Sequence, residues 1–227
     1  MATVDLFAAK GANVIATDIN PIDGATGRSM LTLHHDVANE DDWIRVLAAA
    51  VSRFGHVDIL VNNASISAAR AVAITEVQLA EWHRILAINL DGTFLGMKHA
   101  MAAMADKGGS IINVSSIYGQ VAAPNTAAYS SSKGGVAMVT KVGAVEGARL
   151  ARPVRVNSVH PGFVETALVA GRFAQHPDRR EQVLQATPLG RLATPTEVAS
   201  AILYLACDEA AFVTGSALTI DGGYTAI

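Results

Sequence analysis

The chain has 227 residues, enough for one sizeable core and short for two independent ones. Hydrophobic residues make up 51% and charged residues 16%, which suits strands covered by helices on both faces and leaves room for an apolar subunit interface. The formal charge of -3, with no long basic run, argues against a nucleic-acid partner, and the single Cys207 excludes an intrachain disulfide framework or a clustered thiolate metal site.

The first twenty residues read MATVDLFAAKGANVIATDIN. They lack the basic, then apolar, then small-residue layout of a secretory signal, and no stretch of the chain reaches bilayer-spanning length, so a cytoplasmic protein without a membrane partner is expected. Alanines and the Leu6-Phe7 pair predict a helix ended by Gly11. Val14–Thr17 then reads as a buried strand closed by Asp18, and Leu31–His34 as the next. Asn39 can cap a helix over Asp41–Phe54, whose opening acids Glu40, Asp41 and Asp42 lie near its positive end. Ile59–Val61 is a third strand. A helical pattern over Val77–Met104 follows, with Thr75 and Gln78 spaced as a capping box. Strands over Ile111–Val114 and Arg155–Val159 flank a helix over Tyr129–Leu150.

The stretch from Thr166 to Leu192 is the least regular, carrying Gly171, Pro177, Pro188 and Gly190. It reads as a mobile cover over a site or as a static surface excursion. Thr194 with Glu197 fits a second capping box, Pro195 taking the first helical position of a helix that runs to Ala206, and Ala217–Ile220 is the last strand. Alternating strands and helices without a linker predict one α/β domain over 1–227 built on parallel crossovers.

The strongest chemical signal is YSSSK, Tyr129 to Lys133. Positions four apart on a helix face the same way, and a nearby ammonium favours phenolate, giving a phenol able to exchange a proton with an alcohol or carbonyl. Chance spacing on a solvated helix is the alternative. Ser116, ending the apolar run SIINVSS 13 positions earlier, could polarise the same carbonyl oxygen or merely cap a turn. Asn89, polar within ILAINLDGTF, is either satisfied by its own backbone, bending the helix, or binds a water in a proton path. Asp18 can accept both ribose hydroxyls of an adenosine and repel a 2′-phosphate, or be a solvated loop acid.

Asp36-Val37 can meet an adenine edge or form a turn. The amides of NNAS, Asn62 to Ser65, can hold a cofactor or stitch strands together. HPGFVET, His160 to Thr166, can face a nicotinamide amide with Thr166 near phosphate, or be an ordinary Pro-Gly turn. His34, His35, His83, His99, His160 and His176 have no metal-ligand spacing, so no metal is assigned. DRRE, Asp178 to Glu181, reads as a solvated helix face, and Trp43 and Trp82 as packing residues.

Together Asn89, Ser116, Tyr129 and Lys133 resemble the short-chain dehydrogenase/reductase family, from residue 1 to the final TIDGGYTAI. The resemblance implies a single Rossmann-like, doubly wound, mostly parallel sheet flanked by helices, use of NAD(P), and a homotetramer or homodimer. NVSSIYG, VNSVHPG and DGGYTA look most like bacterial alcohol dehydrogenases of the cyclopentanol and cyclohexanol type, with hydroxysteroid and diketone reductases nearly as close.

By resemblance, Tyr129 exchanges the proton, Lys133 tunes it and holds the nicotinamide ribose, Ser116 positions the substrate oxygen, and Asn89 binds a water leading from Lys133 to solvent. NAD is expected over NADP from Asp18, with Asp36 and Val37 at adenine, Asn62 and Ala64 along the cofactor, and Val164 and Thr166 at its nicotinamide half. Ile66, Tyr118, Gln120, Phe163 and the 166–192 segment would shape the substrate, a small cyclic or aromatic secondary alcohol. A hydroxysteroid or polyol dehydrogenase, or a non-catalytic binding form, is the alternative. Ser65 stands where the family has glycine. The resemblance begins just after the family's first strand and glycine-rich turn, so a truncated chain with two unpartnered strand edges is expected.

Overall fold

The structure, a computed structural model, describes residues 1–22, 29–175 and 177–226. Among the described residues six strands form, each within two residues of its predicted limits: β1 Val14–Asp18, β2 Met30–His34, β3 Ile59–Asn62, β4 Gly109–Val114, β5 Val154–Pro161 and β6 Ala217–Ile220. Every ladder among them is parallel. The helices are α1 Ala2–Ala9, α2 Glu40–Phe54, α3 Leu79–Leu86, α4 Gly92–Met104, α5 Ala127–Gly147, α6 Ala167–Gln175, α7 Pro177–Ala186 and α8 Pro195–Ala206.

The strands can be apolar throughout because helices cover both sheet faces. Alternation along β4 sends Ile111 into a cluster with Met97, Met104 and Ala144 of α4 and α5, and Ile112 into one with Phe7 of α1 and Ile202 and Leu205 of α8. Each such isoleucine, fully buried, stabilises the fold by about 1.5–3 kcal/mol.

The sheet is not continuous. β1 and β2 pair alone, and β3, β4, β5 and β6 form a separate four-stranded sheet. The facing edges of β1 and β3 hydrogen-bond to no strand among the described residues, and both strands are less buried than β4 and β5. They do not close on one another. Val14 of β1 and Ile59 and Val61 of β3 pack on the same Phe7, Ile202 and Leu205 layer, which fixes their separation.

Local chemistry explains the helix ends. The Asp41 amide donates to the Asn39 side chain at 2.9 Å, and Gly55 at φ 86° closes α2 in the left-handed region. Thr194 and Glu197 form the predicted capping box, with Pro195 in the first turn of α8. The Thr75 and Gln78 box does not form. A 3₁₀ turn occupies Ile74–Glu76, Val77 is extended, and Gln78 precedes α3 without a side-chain cap.

The predicted 77–104 helix therefore begins at Leu79, and a π-helical turn, Ala87–Asp91, joins α3 to α4. The stretch read as irregular, 166–192, is largely helical. α6 and α7 bury Phe173 and Val183 with Leu192 in a small cluster of their own, and a parallel bridge from Val164 to Ala193 ties its base. Its periodicity is faint because α7 is polar along most of its length.

Candidate active site

Parallel pairing aligns the carboxyl ends of the strands. Asp18 lies opposite His34, Asn62 opposite Asn113, Val114 opposite Val159, and Pro161 opposite Ile220. The loops that carry Asp36, Ala64, Ser116 and Thr166 therefore all leave from one edge, where ligands settle in open α/β sheets.

Ser116 follows β4 in extended conformation and caps a 3₁₀ turn, accepting from the Tyr118 amide at 3.2 Å. Beneath it lies buried His160. The Ser116 carbonyl, 3.0 Å from His160 Nδ1, can only accept, so Nδ1 carries the proton and Nε2 accepts from Ser158 Oγ at 2.8 Å. Burial lowers the His160 pKa and keeps the ring neutral. Ser115 donates to the Lys133 carbonyl at 2.8 Å, and a side chain at Gly119 would come within 2.7 Å of that carbonyl. This close approach presses the end of β4 onto α5.

Lys133 is 2% exposed. Its Nζ donates to the Val114 carbonyl at 2.7 Å and lies 5.8 Å from the centre of the Tyr129 ring. Burial without a carboxylate pushes its pKa down to about 7. One turn of α5 thus sets a half-buried phenol beside a desolvated amine at the end of the strand that carries Ser116.

Asn89 sits in the π turn, fully buried. Its side chain does not bond its own backbone, one of the two expectations. Oδ1 accepts from the Ile66 amide at 2.8 Å, and Nδ2 donates to the Ile66 carbonyl at 2.9 Å and to Ser132 Oγ at 3.0 Å. Ser132 in turn donates to the Tyr129 carbonyl at 2.7 Å. Ile66, Asn89, Ser132 and Tyr129 form one hydrogen-bonded chain.

Asp18 is exposed, and the Asn20 amide and side chain both meet its Oδ1, at 2.8 and 3.1 Å. Asp36 Oδ1 accepts from the Ala38 amide at 3.0 Å, and the Val37 carbonyl from Trp43 Nε1 at 2.9 Å, so this loop is rigid before any ligand arrives. Asn62 stitches strands, donating to Asn113 Oδ1 at 2.8 Å, while Ala64 is exposed beyond it.

Tyr118 and Phe163 meet edge to face with ring centres 6.1 Å apart, and Tyr224 adds a third ring 5.6 Å from Phe163. Gln120 instead turns to β6, accepting from Thr219 Oγ1 at 3.2 Å. Val164 and Thr166 stand at the base of the 166–192 segment, where Thr166 Oγ1 accepts from the Val169 amide at 3.3 Å. Ser132 and Tyr224 carry this architecture without having been singled out for it by spacing, and His160, read as the head of the HPGFVET turn, supports the Ser116 carbonyl from below. Only the small-residue run inside YSSSK hinted at Ser132.

A family model described as Enoyl-(Acyl carrier protein) reductase matches residues 1–225. The chain belongs to the short-chain dehydrogenase/reductase family. Among relatives in this family, it is 42% identical over 236 residues to the cis-4-hydroxycyclohexanecarboxylate dehydrogenase of Sinomonas cyclohexanicum, covering 100% of this chain and 92% of that protein. It is also 42% identical over 231 residues to the cyclopentanol dehydrogenase of Comamonas sp. (strain NCIMB 9872), covering 97% and 90%. Aldohexose dehydrogenase of Thermoplasma acidophilum, in ligand-free form, superposes with a TM-score of 0.92 at 30% identity, covering 100% of this chain and 89% of that one.

The family is one of NAD(P)-dependent oxidoreductases, and this chain is such an enzyme, acting on a small alcohol or ketone. Two buried polar atoms at the carboxyl ends of the strands are left for a ligand to meet. His35 Nε2 and Asn62 Oδ1 are buried without a partner among the described residues, just after β2 and at the end of β3, Asn62 Oδ1 facing Gly96 of α4. No helix is long and apolar enough to cross a membrane, and no metal-binding cluster occurs among the described residues.

Proposed function

We propose that the enzyme oxidises a cyclic or aromatic secondary alcohol to its ketone with NAD, reversibly. The observation that carries this reading is Lys133, wholly desolvated against the Tyr129 ring beside the strand end bearing Ser116. Tyr129 takes the alcohol proton as phenolate and returns it to the ketone in the reverse direction. Lys133 supplies positive charge to that phenolate and holds the ribose, and Ser116 Oγ orients the substrate oxygen. Bound NAD supplies the hydride acceptor. The Asn89 side chain is spent on Ile66 and Ser132 and its main-chain carbonyl accepts from Thr93 Oγ1 at 2.8 Å, so a water of the proposed proton path would have to share one of these groups.

Asp18 would accept the adenosine ribose hydroxyls and disfavour NADP, with Asp36 and Val37 at adenine, Asn62 and Ala64 along the cofactor, and Val164 and Thr166 at its far half. Ile66, Tyr118 and Phe163 would line the substrate, α6 and α7 would cover it, and Gln120 would act at the outer edge. The three aromatic rings favour a ring substrate over a polyol, in line with the cyclohexane and cyclopentane rings in the relatives' names. A homodimer or homotetramer completes the reading.

Tyr129→Phe is expected to lower turnover of cyclohexanol by about 10²- to 10⁴-fold while NAD affinity, measured by titration alongside NADP, stays within a few fold. Turnover that survives the substitution would overturn the assignment, and tighter binding of NADP than NAD would overturn the role of Asp18.

A further inference from the structure

The ladder between β4 and β5 stops just short of the site. The Ser115 amide donates to the Val159 carbonyl at 2.9 Å, and the next rung would take the amide of Pro161, which has none. The His160 ring takes over there. Its Nδ1 donates to the Ser116 carbonyl at 3.0 Å, one residue past the last rung, so a side chain extends the pairing beyond the point the backbone can reach.

Two donors meet the Ser116 carbonyl, and they are not equivalent. The Gly119 amide, at 2.9 Å, belongs to the same 3₁₀ turn and moves with it. His160 belongs to β5 and is fully buried. It is anchored in turn. Its Nε2 accepts from Ser158 Oγ at 2.8 Å, two residues back on the same face of the strand, and the Ser158 amide donates to the Ser216 carbonyl at 2.9 Å. We propose that His160 is a positioning residue, tying the Ser116 peptide to β5 so that Ser116 Oγ meets the substrate oxygen opposite Tyr129. The inference rests on the proposed orienting role of Ser116.

Only one arrangement of the neutral ring satisfies both neighbours. The carbonyl needs a proton on Nδ1, which leaves Nε2 a lone pair for the Ser158 hydroxyl. The opposite tautomer would set the Nδ1 lone pair against the carbonyl oxygen and forfeit that bond. An asparagine here can offer an amide N–H near the place of Nδ1, whereas a glutamine carries its amide one bond further, towards the place of Nε2. The two amides therefore separate a bond to Ser116 from a bond to Ser158.

The test measures kcat/KM for cyclohexanol with NAD in a cycle of Ser116→Ala, His160→Leu and the double variant, with thermal melts to confirm folding. His160→Leu should lower kcat/KM by about tenfold, since small misplacements of an orienting group are costly, while NAD affinity stays within a few fold. In the Ser116→Ala background the same change should cost no more than about twofold further, because no hydroxyl remains to position. His160→Asn should recover most of the activity and His160→Gln little of it, and the same cycle run with His160→Gln decides the matter if His160→Leu does not fold. A merely structural histidine would lower both backgrounds by one factor. No loss in the single variant, equal losses in the two backgrounds, or His160→Gln matching His160→Asn would each overturn the positioning role and leave the alcohol oxidation standing. If Ser116→Ala turns over as wild type does, the orienting role of Ser116 falls and this inference with it. If wild type oxidises cyclohexanol with neither NAD nor NADP, the proposed function falls as well.

Discussion

Lys133 is a cation-forming side chain with no carboxylate near it, held by one carbonyl and one aromatic ring. Burial therefore disfavours the ammonium, and its pKa drops from 10.5 to about 7. The unfolded chain holds the proton more tightly, so this group's contribution is best above 10.5, declines as the pH falls toward about 7, and is constant below. Lys133→Met should accordingly gain stability over wild type by more at pH 7 than at pH 10, in denaturant melts of the cofactor-free protein. An equal difference at both pH values would show that Nζ reaches water in the folded chain. The site's main pair was legible in YSSSK because helical spacing alone puts Tyr129 and Lys133 on one face. The supports were not. That Asn89 reaches Ile66, or that His160 holds the Ser116 carbonyl, depends on which strand ends meet, and no local pattern states that.

Strands were legible to within two residues because a fully covered parallel sheet demands short, β-branched, continuously apolar runs. Helices in contact with that sheet were nearly as clear, whereas α6 and α7 were hidden because they pack mostly on each other around Phe173, Val183 and Leu192. Which strands would pair across the gap between β1 and β3 is set by the packing of α1 and α8 beneath them, which no local pattern states. The tightest seam is between α5 and β5. Gly143 and Gly147, one turn apart, face that strand, and a side chain at Gly147 would run into the Val154 carbonyl. Backbone cannot step aside as the end of a methionine can, so Gly147→Ala should destabilise the fold by about 1–3 kcal/mol despite alanine's better helix propensity. Denaturant midpoints measure it. A stabilised Gly147→Ala would mean that α5 can lift off the sheet freely, and the placement of Tyr129 and Lys133 would then lose its rigid support.

The surface carries large apolar side chains on both sides of the sheet. On α5, Met138, Val142 and Val145 share one stripe and are 59%, 48% and 56% exposed, with Phe94 of α4 also open. On the other side, Tyr204 of α8 is half exposed and Phe212 fully so. Because α4 and α5 cover one face and α8 the opposite one, the two patches cannot belong to a single contact. Isologous pairing through each patch in turn would generate a closed assembly with dihedral symmetry, a tetramer, while use of one patch stops at a dimer. Light scattering should therefore give a mass near four times 23.6 kDa for the native chain. The double variant Met138→Glu with Val142→Glu, and separately Phe212→Glu, should each stop at the dimer, since a buried unpaired carboxylate at the centre of either patch opposes closure. A native dimer abolished by only one of these changes would identify a single working interface. A native monomer would leave both patches solvated and remove the assembly from the proposed function.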